Sequence, residues 1–520
     1  MPSTEKFIEK IKKSYDLEGL SFPIGCGVLE GQVHSESVVK IPLGSLNRHG
    51  LISGATGTGK TKTVQILAEH LSSQGVPTLL MDLKGDMSGL AKASSGHPKI
   101  DERHESLNIE FTPQEFPIEF LTLSNEYGSK LRATLIEFGP VLFSKILGLN
   151  VTQTSVTTVL FKYCDDTGLP LLDLNDFKEV LRFIGGDQQE EFEKLYGKIS
   201  PSTVSTILRK VVELEQQGAN DFLGEPSFDV EDLLYNGSDK APINILRLTN
   251  IQGKPKLFST FMLSLLSEVY ETFPEVGDSE KPKLCLFIDE AHLVFEEASD
   301  TLVNQLEQVV KLIRSKGVGV FFCTQNPVDV PESILSQLGL KIQHSLRAFT
   351  AKDRKAIKSA AENFPISDFY DIDQLITELG IGEALVTVLD HKGRPTELVH
   401  TMLRAPQTRM GILDDKELKE VEAKSKLKEK YDKIIDRKSA YEILTERINS
   451  EDEPEISEDI KKTRKEKNDD EEGFFASLSK NTMIRQVGRT VTREVTRGLL
   501  GALGIKTTRR RSSRRKTGWF

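Results

Sequence analysis

The sequence predicts an α/β protein with a central, mostly parallel sheet, a helical insertion and a helical C-terminal extension. Three observations predict it. A short apolar strand runs into a glycine-rich loop and then an amphipathic helix. Further apolar strands alternate with helical stretches, the order that builds parallel sheets. A distant apolar strand ends in two adjacent carboxylates.

Residues 1–45 read as an N-terminal arm, a charged helical start followed by β-like pieces, GCGVLEG and SVVKIPLG. Residues 46–129 form the first part of the core. In it Gly50-Leu51-Ile52-Ser53 is a strand and Val64, Leu67, Ala68 and Leu71 form a helical stripe. Residues 76–82 are a second buried strand. Residues 130–240 are helical in pattern, punctuated by Gly168-Leu169-Pro170 and Gly185-Gly186, and read as an insertion without parallel strands. Residues 241–405 resume the core with strands at 243–246, 284–289, 318–324, 341–346 and 384–389. A helix at about 302–316 puts Leu306, Val309, Val310 and Ile313 on one face.

Residues 406–472 are a charged helical extension and acidic linker. In the tail, residues 473–520, Ile484, Val487, Val491, Val495 and Leu499 form an apolar row. Arg485, Arg489, Arg493 and Arg497 lie opposite, as on a basic amphipathic helix. The tail holds twelve Lys/Arg against one acid, +11, which leaves −21 on the rest of a chain whose net charge is −10. That distribution points to a local anionic target rather than a coat of DNA-binding charge.

Composition narrows the class. The 520 residues are 38% hydrophobic and 28% charged, as in a soluble protein. No apolar run nears the ~18–20 residues of a membrane span. The start lacks an apolar signal region, so a cytoplasmic location is expected. Cys26, Cys164, Cys285 and Cys323 show neither CxxC nor metal-ligand spacing and read as reduced structural thiols.

The chemistry lies in three segments. Gly54-Ala55-Thr56-Gly57-Thr58-Gly59-Lys60-Thr61 fits GxxxxGK[ST] in its strand–loop–helix setting. Glycines there turn backbone N–H groups toward phosphates, Lys60 supplies charge, and Thr61 offers a hydroxyl to Mg²⁺. This is a P-loop nucleotide site. The run 284–292, LCLFIDEAH, places Asp289 to hold Mg²⁺ through water and Glu290 to polarise an attacking water. The strand 318–324 ends at Gln325, where an amide would sense the γ-phosphate or orient water. Asp82 and Asp86 end another strand, where one of them would sit near the metal or its water. Phosphoryl transfer also calls for transition-state positive charge; Arg48, Arg314 and Arg347 are the candidates.

A P-loop with a distant DEAH suggests a DEAH-box helicase. The 229-residue gap from Lys60 to Asp289, the Cys-Thr-Gln-Asn-Pro after the next strand and the lack of a second similar domain argue against it. The chain instead resembles the HerA/FtsK superfamily of hexameric DNA-pumping ATPases, and within it bacterial HerA-like proteins of the YjgR type. The stretches that carry the resemblance include NRHGLISGATGTGKT, DLKGDMSGLA, FIDEAHLVF, LIRSKGVGVFFCTQNPVDVPESILSQLG and ELGIGEALVTVLD. The resemblance implies a RecA-like core, ATP and Mg²⁺ as cofactors, and a homo-hexameric ring acting on DNA. It gives Lys60, Thr61, Asp289, Glu290 and Gln325 the roles above, with arginines at positions like Arg48 and Arg347 acting within or across a subunit interface. Only about 45 residues precede the core, too few for the β-barrel that docks a nuclease in archaeal HerA, so a nuclease partner is not expected. The alternative is an ATPase that remodels or moves protein or acts at a membrane surface, with residues 473–520 as the membrane or partner anchor.

Overall fold

A computed structural model describes residues 3–449 apart from 125, 187–188, 235–238, 252, 278, 296–299, 349, 434 and 436–437. The acidic linker beyond 450 and the basic tail lie outside the described residues. Among the described residues twelve strands form one sheet. They are β1 (Ser21–Leu29), β2 (Gln32–Pro42), β3 (Gly50–Ser53), β4 (Thr78–Asp82), β5 (Ile118–Thr122) and β6 (Ser129–Lys130). The second half supplies β7 (Ile243–Arg247), β8 (Leu284–Ile288), β9 (Val318–Thr324), β10 (Leu340–Gln343), β11 (Glu383–Thr387) and β12 (Val399–Leu403).

The spatial order is β2-β1-β12-β11-β10-β3-β9-β8-β4-β7-β5-β6. All pairings from β10 to β6 are parallel. The pairings from β10 out to β2 are antiparallel. The segment read as an arm thus contributes a long hairpin to the sheet's antiparallel edge. Three strands had escaped the sequence pattern: β5, β6 and β12. Glu119 interrupts the apolar run of β5, β6 is two residues long, and β12 carries His400 and Thr401 among its buried positions.

The central strands are buried on both faces, as parallel strands flanked by helices must be. Leu284, Leu286 and Ile288 of β8 join one core with Val318, Val320 and Phe322 of β9. Their alternates Cys285, Phe287, Phe321 and Cys323 join the opposite core, with Ile52 of β3 and Val64, Leu67, Ala68 and Leu71 of the helix Lys60–Ser73. That helix shows the predicted stripe. The first core also takes in the helices between 135 and 216 and the helices Pro255–Thr272 and Asp300–Ile313. All four cysteines are free and buried. No helix among the described residues is long and apolar enough to cross a membrane.

Register decides where chemistry can happen. Ser53 of β3 pairs with Thr324 of β9, Ile288 of β8 with Phe322 of β9, and Met81 of β4 with Ile288. Four adjacent parallel strands therefore end together, and their following residues share one crevice at the carboxyl edge of the sheet.

Candidate active site

The loop after β3 is held by its neighbours' backbones. Gly54 N donates to Thr324 O at 3.2 Å and Ala55 N to Ser345 O at 2.8 Å. Gly54 has φ +150°, and a Cβ there would lie 2.5 Å from His344 Cβ, so the position excludes a side chain. His344 is buried. Its Nδ1 lies 2.9 Å from Glu383 O, an atom that only accepts, so Nδ1 carries the proton and Nε2 accepts from Thr63 Oγ1 at 2.9 Å. Burial depresses its pKa to about 4, so the ring is neutral at physiological pH. On the other side Gly382 N donates to Thr58 O at 3.1 Å, and Arg103 fixes that turn through Gly382 O.

Lys60, 8% exposed, folds back on its own loop, donating to Gly54 O at 2.6 Å and Ala55 O at 3.1 Å. Burial, then the nearby Lys84 ammonium, lower its pKa. Thr61 Oγ1 donates to Asp86 Oδ2 at 3.0 Å. Asp86 belongs to the turn after β4, which Asp82 builds. The Asp82 carboxylate accepts from the amides of Gly85, Asp86 and Met87 at 2.7, 3.1 and 3.1 Å. Asp82 is thus occupied with its own turn, and Asp86 is the residue that faces the P-loop.

Asp289 and Glu290 follow β8, and each is 6% exposed. Burial, then the adjacent Glu290 and Asp86 carboxylates, push Asp289 up to about 7, with Lys84 opposing. Among the described residues, Asp289 Oδ2 and Asp86 Oδ1 are buried without a hydrogen-bond partner. Glu290 holds φ +46°, a left-handed backbone conformation that non-glycine residues adopt infrequently. It is ion-paired with Lys84, and His292 Nδ1 lies 3.3 Å from its second oxygen.

Asp86 meets the Thr61 hydroxyl and Asp289 lies within electrostatic reach of Asp86, and carboxylate and hydroxyl oxygens of this kind are the donors a hard divalent cation takes. No group of three His, Cys, Asp or Glu forms a metal cage among the described residues.

A cavity of about 740 Å³ opens beside the loop. It is lined by Ala55, Thr56, His292, Gln325 and Arg347 among others. Gln325 is exposed in it at the end of β9, on a turn fixed by Thr324 Oγ1 and Asn326 N, both donating to Asp329 Oδ2 at 2.7 and 3.1 Å. Gln325 and Arg347 therefore share the cleft with the P-loop.

Arg48 and Arg314 do not line that cleft, so within one chain neither meets the P-loop. Arg314 lies in the turn Arg314–Lys316 before β9, so all seven residues of that strand, ~23 Å at 3.3 Å each, separate it from Gln325. Arg48 precedes β3, beside Gly339 and Gly393, also at the amino end of the sheet. Neither side chain reaches its own chain's P-loop. The spacing along the sequence could not show this, because it does not say which end of a strand a residue flanks until the parallel order is known.

Lys84 and His344 escaped the sequence reading. Only DLKGDMSGLA signalled Lys84, two residues before an acid already singled out, and His344 lay inside a segment read as plain strand.

Comparison with known proteins adds what geometry alone does not. The family model described as Helicase HerA-like C-terminal matches residues 28–510. The DNA double-strand break repair helicase HerA of Saccharolobus solfataricus is 24% identical over 392 residues, 74% of this chain and 69% of that one. Its counterpart of the same name from Sulfurisphaera tokodaii is 23% identical, over 68% of this chain and 65% of that one. The aligned region thus spans about two thirds of these relatives' length. Among solved structures, the bacterial conjugative coupling protein TrwB superposes with a TM-score of 0.49 at 14% identity, covering 78% of this chain and 94% of that one.

Proposed function

The chain belongs to the helicase HerA-like C-terminal family and is a P-loop ATPase of that family; we propose that it couples ATP hydrolysis to translocation along, or unwinding of, DNA as a homo-hexameric ring. The observation that carries the hydrolytic half is the common crevice. The ends of β3, β9, β8 and β4 bring Lys60, Thr61, Gln325, Asp289 and Glu290 into one cleft. The DNA half is supported by the relatives, which are named as DNA double-strand break repair helicases.

In this reading the N–H groups of Thr56, Gly57 and Gly59 turn to phosphate, those of Gly54 and Ala55 being held by Thr324 O and Ser345 O, and Lys60 leaves the Gly54 and Ala55 carbonyls for a phosphate oxygen. Thr61, which meets Asp86, and Asp289 would hold Mg²⁺. The ion would supply neutralisation of phosphate charge. Glu290 accepts a proton from the attacking water, which Gln325 orients. Arg347 faces the transferring phosphoryl group from the cavity wall. Arg48 and Arg314, on the far edge of the sheet, serve only if a neighbouring subunit presents them to the next site.

ATPase rate with and without duplex DNA at low salt, in wild type and in Lys60→Ala, tests this reading. Stimulation by DNA in wild type, and loss of nucleotide binding in the variant, are expected. A wild-type rate indifferent to DNA, with no DNA retained, would exclude the motor reading and favour the protein-remodelling or membrane alternative.

A further inference from the structure

Resting on the reading of Glu290 as general base, we propose that Lys84 is the γ-phosphate sensor of this site. It rests on Glu290 and transfers to the terminal phosphate of a bound nucleoside triphosphate. The base is then freed only when a triphosphate is present.

The turn after β4 is built to present Lys84. Asp82 clamps it through three amides, and Gly85 takes φ +75° to close it. Within that turn Lys84 reaches Glu290 while Asp86 reaches Thr61, one side chain to each of two groups that turnover requires. The pair is lopsided. Glu290's side chain is 7% exposed and Lys84's 37%, so the lysine is the member free to move toward the cleft. Burial works against the ammonium, but Glu290, Asp289 and Asp86 more than offset it and hold its pKa above the ordinary value. Lys84 also lies close enough to Lys60 to depress that residue's pKa, which places both ammonium groups in the field of the same phosphates.

A γ-phosphate held by Lys60 would therefore compete with Glu290 for Lys84, and it carries more negative charge than a carboxylate. A diphosphate offers nothing at that point. A ligand shifts such an equilibrium only through its differential contacts with the two states, and here the γ-phosphate is the difference.

The test is calorimetric titration of the full chain with Mg²⁺ and either ADP or a non-hydrolysable ATP analogue. Lys84→Met, which keeps the aliphatic stem, is expected to weaken analogue binding about tenfold, the worth of one charge-assisted hydrogen bond. ADP affinity should stay within about twofold, and Lys84→Arg should restore most of the difference. Glu290→Gln releases Lys84 from its resting partner, so it should tighten the analogue but not ADP, and that gain should vanish in the double variant. Equal weakening of both nucleotides by Lys84→Met, or a Glu290→Gln gain that persists without Lys84, would overturn the proposal. If Lys84→Met does not fold, the ratio of analogue to ADP affinity in Glu290→Gln decides alone: an unchanged ratio overturns it. Turnover of Glu290→Gln is read separately. Wild-type hydrolysis there would refute Glu290 as base, while the affinity cycle still reports on Lys84.

Discussion

At the residue scale the polar groups of the site engage one another. Lys60 lies on loop carbonyls, Thr61 on Asp86 and Glu290 on Lys84. Glu290→Gln keeps the shape but removes the proton acceptor. It should lower kcat by about a hundredfold or more while nucleotide binding persists, measurable by steady-state hydrolysis beside a binding titration. His344 gives a pH prediction with a definite sign. Its folded pKa of about 4 lies below the ordinary value of 6.5. Between these values the unfolded chain takes up a proton that the folded chain refuses, so wild type loses stability as pH falls below 6.5. From pH 7.5 to 5 that loss amounts to about 2 kcal/mol. Denaturant titrations should therefore show the gap between wild type and His344→Gln narrowing by that amount on acidification. A gap independent of pH would mean the imidazole is not held neutral.

At the element scale the P-loop helix is fastened by a strand-like strap that follows β12. Glu69, buried in the helix Lys60–Ser73, accepts from Gln407 N and Thr408 N at 2.9 Å each and from Thr408 Oγ1 at 2.5 Å. Lys62 Nζ donates to Met410 O at 2.5 Å on the same strap. Glu69→Ala would leave the buried Thr408 amide and the part-buried Gln407 amide unpaired, at a cost of about 2–4 kcal/mol, visible as a lowered urea midpoint. Gly54→Ala would drive a Cβ into His344 and should abolish nucleotide binding even where the fold survives. These elements also show what the sequence could disclose. The strand–loop–helix around Lys60 and the carboxylate-ended β8 were legible, because local periodicity and glycine placement determine them. The strap was not: it has no periodicity, and Glu69 reads as one more charge on a helix until its partners, more than 330 residues away, are in place. Nor was β5, whose apolar run Glu119 breaks and whose place beside β7 only the pairing reveals.

At the scale of the whole molecule, one sheet edge holds the candidate nucleotide site and the opposite edge holds Arg48 and Arg314. A head-to-tail ring would set one edge against the other between subunits, which leads to a complementation test. Chains carrying Lys60→Ala and chains carrying Arg347→Ala have their lesions in the same cleft, so mixtures should stay inactive. Lys60→Ala chains mixed with Arg48→Ala or Arg314→Ala chains should recover ATPase activity for at least one of the two, because some interfaces then pair an intact P-loop with an intact arginine. Recovery with neither would leave Arg347 as the arginine that serves the site.

The central claim is that hydrolysis in this cleft drives movement on DNA. Displacement of a third strand from a DNA triplex by the full chain tests it most directly, since only a protein moving along the duplex removes that strand. Displacement is expected with ATP and Mg²⁺, and none with ADP, with a non-hydrolysable analogue, or from Lys60→Ala or Glu290→Gln. ATP hydrolysis that proceeds on the triplex while the third strand stays in place would contradict it.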